Sequence, residues 1–136
     1  MRLKHIIIVI IAISSLSMVF NAQAESIQDD LITMVNTINK QLPMTIDKET
    51  RWDSSVAMGK KVIYLYTLIN FTAKQLSKTQ VTKFTEIQTK TLVNNYCTLP
   101  AMAVFKNNAI KLDYTYRGKE GKHIITIPIA QTDCIQ

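Results

Sequence analysis

Apolar residues recur along this chain in three different patterns, and each predicts a different kind of element. The first is a nearly continuous run from Ile6 to Phe20, relieved only by Ala12 and by Ser14, Ser15 and Ser17. Arg2, Lys4 and His5 precede it, and Ala22-Gln23-Ala24 follows. A basic start, a short apolar stretch and an A-x-A site predict a secretory signal peptide over 1–24, cleaved between Ala24 and Glu25. The run is shorter than the ~20 residues that span a bilayer, but Leu3 and Val19-Phe20 lengthen it, so an uncleaved inner-membrane anchor stays open. No cysteine lies near the cleavage site to carry a lipid.

The second pattern has helical spacing. Ile27, Leu31, Met34, Val35, Ile38 and Leu42 form one stripe, with Asp29 and Asp30 at the positive end of the helix dipole and Pro43 as a stop. A second helix begins near Ser77, capped by Ser77 with Gln80, and spreads Val81, Phe84, Ile87, Leu92 and Tyr96 over a broader face up to Cys97. Pro100 opens a short helical turn carrying Met102 and Phe105, and Asn107-Asn108 supplies a left-handed exit.

The third pattern alternates. Ile110, Leu112, Tyr114 and Tyr116 share one face of a strand, with Lys111, Asp113, Thr115 and Arg117 on the other. Gly118-Lys119-Glu120-Gly121 turns the chain, its glycines supplying positive φ. The return strand, His123 to Ala130, must lie at an edge because Pro128 lacks an amide donor. Lys61 to Ile69 is apolar on both faces, which predicts a central strand. Thr45 to Ser54 reads as a charged edge strand or long loop, and 54–59 as a break. The order α-β-β-α-β-β predicts a single small α+β domain over 25–136. Its expected form is a four-stranded, mostly antiparallel sheet with two helices on one face.

Composition narrows the function classes. Removing Arg2 and Lys4 with the leader leaves 14 of 16 basic residues against 10 acidic ones, a net charge of +4. The lysines are scattered, with only Lys60-Lys61 adjacent, so no nucleic-acid-binding stripe forms. One histidine, His123, remains beyond the leader, which argues against a histidine-based metal site. No H-E-x-x-H, G-x-S-x-G or phosphate-cradling glycine loop occurs, so no catalytic residue, metal or cofactor is assigned. Cys97 and Cys134 are the only thiols; an even count in an exported domain predicts a disulfide closing a 38-residue loop.

The segment with the strongest binding character is acidic and aromatic: Asp47, Glu49, Arg51, Trp52 and Asp53. As structure it is a charged edge strand anchored by Trp52. As function it is a recognition strand whose Trp and Arg act as interface anchors, or an edge that accepts a partner strand. If catalysis occurred, Asp47, Glu49 and Asp53 would share one strand face. Tyr64, Tyr66, Tyr114 and Tyr116 face inward, either as a packed core or as a ligand groove.

Leu42-Pro43-Met44, the stretch from Asp47 to Asp53, and Tyr64-Leu65-Tyr66-Thr67-Leu68 form a pattern continued by Cys97, Tyr114-Thr115-Tyr116, Gly121 and Asp133-Cys134. The pattern resembles a group of small exported α+β proteins of Gram-negative bacteria with no established activity, and covers most of the chain beyond the leader. The resemblance implies export and a disulfide and supplies no site. Where that group carries a glycine before the third strand, this chain has Asn108, which tolerates the left-handed region. These readings lead to a periplasmic, non-enzymatic protein that binds an envelope or periplasmic protein, with no stable membrane insertion after cleavage. The alternatives are a small periplasmic enzyme, a small-ligand-binding domain, or an accessory protein held by an uncleaved signal. Secretion beyond the outer membrane also stays open.

Overall fold

The computed structural model describes residues 26–135, so the expected leader and its cleavage site lie outside the described residues. Helix α1 covers 26–39 and uses the anticipated stripe: Leu31 and Val35 are buried, with Ile27 and Met34 packed beside them. It ends before Leu42, earlier than expected. Gln41 N–H donates to Ile38 O at 2.9 Å and Leu42 N–H to Asn39 O at 3.3 Å, a tight turn that takes the chain out of the helix ahead of Pro43.

The expected strand over 45–54 is two strands separated by a turn. Strand β1, Met44–Thr45, pairs antiparallel with the start of β2, Thr50–Met58. Residues 54–59 are therefore not a break, because β2 continues to a two-residue loop at Gly59-Lys60 and returns as β3, Lys61–Leu68. Gly59 has φ +59°, at the first loop position where a type II′ hairpin calls for glycine. Helix α2, Lys78–Thr98, is capped as anticipated: Gln80 N–H donates to Ser77 Oγ at 3.2 Å and Ser77 N–H to Gln80 Oε1 at 2.8 Å. Pro100–Met102 forms a 3-10 turn leading into the short helix α3, Ala103–Asn107, with Phe105 buried. The left-handed residue before the next strand is Ala109 at φ 52°, not Asn108.

Strands β4, Lys111–Gly118, and β5, His123–Ile129, complete a five-stranded sheet in the order β1-β2-β3-β4-β5. The fold class is α+β as expected, but with five strands, a third helix and a parallel β3–β4 pair. The parallel pair follows from α2, which carries the chain from the end of β3 back to the start of β4. Strand β5, with Pro128, lies at the edge.

One sheet face carries the core. Val62, Tyr64 and Leu68 of β3 join Leu112, Tyr114 and Tyr116 of β4 and Ile127 and Ile129 of β5 under Leu31 and Val35 of α1 and Tyr96 of α2. Val62, Ile110, Leu112 and Ile129 have at most 1% exposure. Burying each contributes about 1.5–3 kcal/mol. Tyr96 donates its hydroxyl to Ile110 O at 2.8 Å, which lets a polar tip stay in the core. The Cys97–Cys134 disulfide, with Cα atoms 5.5 Å apart, ties the tail after β5 to the end of α2. At the opposite side, Asn39 reaches the edge of β2: Ser55 N–H donates to its Oδ1 and its Nδ2 donates to Ser55 O, both at 2.8 Å.

Candidate functional site: an apolar groove beside the acidic turn

Helix α2 has 21 residues, yet Tyr96, near its C-terminus, is its single buried residue. Its first half is only partly buried, with Phe84 reaching the sheet. Beneath it lies a groove of about 600 Å³, walled by Val81, Phe84 and Ile87 of α2, floored by Leu68 and Ile124, and closed by Phe71 and Leu76. Ile87 is 55% exposed, an apolar residue left facing solvent at the groove mouth.

The opposite rim is the turn between β1 and β2. Asp47 Oδ1 accepts from both Glu49 N–H and Thr50 N–H at 2.8 Å, the local ring that makes aspartate favourable in such turns. Ile69 N–H donates to Glu49 O at 2.8 Å and Asn70 Nδ2 to Lys48 O at 3.2 Å, which pin the turn over the end of β3. Asp47, Lys48, Glu49 and Thr50 all line the groove. The site is thus an apolar trough whose one lip carries two carboxylates and, between them in sequence, the Lys48 ammonium. Chemically it can bury apolar side chains and attract a cation at its edge.

The five residues expected to act together are separated. Asp47 and Glu49 stand on the rim. Trp52 turns to the inner face, its indole N–H donating to Ser55 Oγ at 3.0 Å and its ring meeting Tyr64 edge-to-face at 5.6 Å. Asp53 is an extra residue in the β2–β3 register, and its carboxylate faces the outer side of the sheet, where it accepts from Arg51 and Thr67. The single-face arrangement of Asp47, Glu49 and Asp53 does not form, because the turn and the bulge break the alternation.

The tyrosines pack instead of lining the groove. Tyr64 and Tyr114 lie 5.1 Å apart between ring centroids, Tyr66 and Tyr116 5.2 Å, and Phe84 meets Tyr116 edge-to-face at 4.9 Å. Burial pushes the Tyr64 and Tyr116 hydroxyls up to about 12, with the nearby Asp47 carboxylate adding to the rise at Tyr116. Tyr66 and Tyr114 are raised further, mainly by burial, with Tyr114, Tyr116 and Tyr64 adding at Tyr66 and Tyr64, Tyr116 and Tyr96 adding at Tyr114. The groove residues Phe71, Leu76 and Ile124 carried no local sequence signal. The broad, imperfect apolar face of α2 was the one hint.

A second depression, about 660 Å³, lies on the far side of α2 against the disulfide. Its lining mixes the polar Thr85, Glu86, Thr89, Lys90, Asn94 and Thr98 with Val93 and the Cys97–Cys134 bridge, and it is more open to solvent than the groove. Among the described residues no group of three or more histidine, cysteine, aspartate or glutamate side chains is placed to hold a metal ion. No described helix is long and apolar enough to cross a membrane.

A family profile described as a domain of unknown function, DUF8479, matches residues 17–125. No curated protein matches the chain. Among solved structures, the fold is similar to a pilotin of the Vibrio vulnificus type 2 secretion system, EpsS. The TM-score is 0.64 at 13% identity over 85% of this chain and 98% of that one. It is also similar to the type II secretion system pilotin AspS from Vibrio cholerae, with a TM-score of 0.60 at 11% identity and the same coverage of 85% and 98%. At such identities the likeness is one of fold.

Proposed function

The chain belongs to the DUF8479 family, and we propose that it is a non-enzymatic accessory protein of the bacterial envelope that seats an apolar segment of a secretion-assembly protein in the groove beside α2. The observation that carries this reading is the groove itself. Val81, Phe84 and Ile87 of α2 are spaced by three residues along one side of the helix, so they offer about two turns of apolar surface. An amphipathic helix matches such a trough. Asp47 and Glu49 on the lip favour a partner whose polar edge carries lysine or arginine. The fold shared with two type II secretion pilotins supports a role beside a secretion assembly. Asp53 is held by Arg51 and Thr67 on the other side of the sheet, which supports binding over carboxylate chemistry. Export to the periplasm through the expected leader completes the proposal.

The test is site-specific photocrosslinking in cells. A crosslinker at Ile87 is expected to capture an envelope protein of a secretion assembly, whereas one at Glu86, on the polar side of α2, is not. Phe84→Glu is expected to abolish capture while the purified protein still melts cooperatively. Equal capture from both positions, or capture unaffected by Phe84→Glu, would overturn the reading.

A further inference from the structure

The sheet has a second face that none of the described helices covers. Strand pairing lines its residues up in rows: Arg51, Thr67, Arg117 and His123 form one, Ser54, Leu65, Thr115 and Thr126 the next, Val56, Ile63, Asp113 and Pro128 the third, and Met58, Lys61 and Lys111 the last. Val56 is 45% and Met58 60% exposed, and Ile63 and Leu65 beside them are half-buried. An apolar corner therefore sits at the β2–β3 hairpin, framed by cations.

On this face cations outnumber carboxylates. Arg51, Lys61, Lys111 and Arg117 point to this face, and Lys60 stands at the hairpin tip. Asp53 and Asp113 are the described carboxylates on it, and both are already paired, with Arg51 and with Lys61 at 2.9 Å. The other described carboxylates belong to the helices, to the groove rim, or to turns where they accept backbone amides, as Glu120 does from Ala73 and Asp133 from Ala130. This face keeps a positive excess around exposed apolar side chains.

Asn39 lies beside Ser55, and Ile32 lies beside Val56 and Ala57, so α1 runs back along β2 toward the hairpin tip. Its 14 residues, 26–39, span about 20 Å, enough to bring Ser26 level with Met58. Ser26, the first described residue of α1, thus lies toward the end of the sheet that carries Met58, Lys60 and Lys61.

We propose that the outer face of the sheet is a peripheral contact surface for an anionic phospholipid bilayer, with Met58 and Val56 entering the interface and Lys60, Lys111 and Arg117 meeting the headgroups. Lysine and arginine stems suit this position because their methylenes lie along apolar surface while the charge reaches phosphate. The groove beside α2 opens on the helical side, so a bilayer-bound molecule keeps it free for a protein partner. This inference does not depend on what the groove binds.

The experiment is flotation of the protein with vesicles of phosphatidylcholine, alone or with 30% phosphatidylglycerol. Binding should favour the anionic vesicles at least tenfold and weaken between 0.1 and 0.5 M salt. Each cation near an anionic surface contributes about fivefold in partitioning, so Lys111→Glu with Arg117→Glu should lower it by at least about 25-fold. Met58→Asp should lower it further, and Lys83→Glu with Lys90→Glu on α2 should leave it unchanged. Melting curves confirm that each variant is folded, and Phe84→Glu in the groove should float like the parent. Equal partition to both vesicle types would overturn the proposal. So would equal losses from α2 and sheet-face variants, or sheet-face variants that keep vesicle binding and lose a crosslinked protein instead.

Discussion

Gly118 offers the sharpest test of how the groove is held open. It closes β4 where the β4–β5 turn packs under the segment Phe71–Ala73, and its own φ is not in the left-handed region. What demands glycine is close approach: an added Cβ would lie 2.7 Å from Ala73 N and 2.3 Å from Glu120 Oε2. The carboxylate is flexible and can yield, but the Ala73 amide is backbone. Lys119 N–H also donates to Phe71 O at 2.8 Å, and pushing the turn away breaks that bond. Gly118→Ala should therefore cost about 1–3 kcal/mol for overpacking and about 1 kcal/mol for the hydrogen bond. For a domain near this size, about 2–4 kcal/mol corresponds to a melting temperature lower by roughly 8–16 °C. Urea denaturation followed by circular dichroism measures the first quantity. Capture from Ile87 should fall with it, because Phe71 walls the groove. The double variant Gly118→Ala with Glu120→Ala separates the two contacts. Stability within about 0.5 kcal/mol of the parent, well below the overpacking range, would refute the close-approach argument. Full rescue in the double variant would do the same.

Two further predictions concern stability. Replacing Cys97 and Cys134 together by alanine releases a loop with sequence separation 37, and chain entropy puts the loss at about 4 kcal/mol; a loss below about 1 kcal/mol in urea titration would contradict the entropic account. All five tyrosines have raised pKa values, with Tyr64 and Tyr116 at about 12, so the folded protein retains protons that the unfolded chain releases near 10. The stabilisation is complete below pH 10 and is lost as pH rises toward 12. Phenolate absorbance should therefore stay flat in the native protein through pH 10–11 and then rise together with unfolding, whereas independent titration near 10 would show that the tyrosine cluster is open to water.

Strands β4 and β5 were legible because their core residues are large and apolar and their outer residues polar. Strand β2 inverts that rule. Its small residues Ser55 and Ala57 face the helices, while Val56 and Met58 face outward, so alternation alone placed a break where a strand runs. The parallel β3–β4 pair was hidden for another reason: Lys61–Leu68 is apolar on both sides, which marks a central strand without naming its neighbours. The groove draws on residues from 47 to 124 and becomes visible only when α2 crosses back over the sheet. Asp47 and Glu49 were singled out from composition, and the turn that presents them depends on hydrogen bonds from Ile69 and Asn70.

The pair of hydrogen bonds between Asn39 and Ser55 has a consequence for self-association. An exposed strand edge recruits other strands, and partly folded chains meet copies of themselves before folding is complete. Strand β1 shields only the first part of β2, and the amide of Asn39 takes over both backbone groups of Ser55 just beyond it. The docked helix α1 thus acts as a stopper at this edge of the sheet. It also closes the route by which a partner could add a strand there, which leaves side-chain surfaces as the means of recognition on that side. Loosening α1 would turn this edge into a seed for aggregation, so this helix guards the solubility of the sheet that follows it.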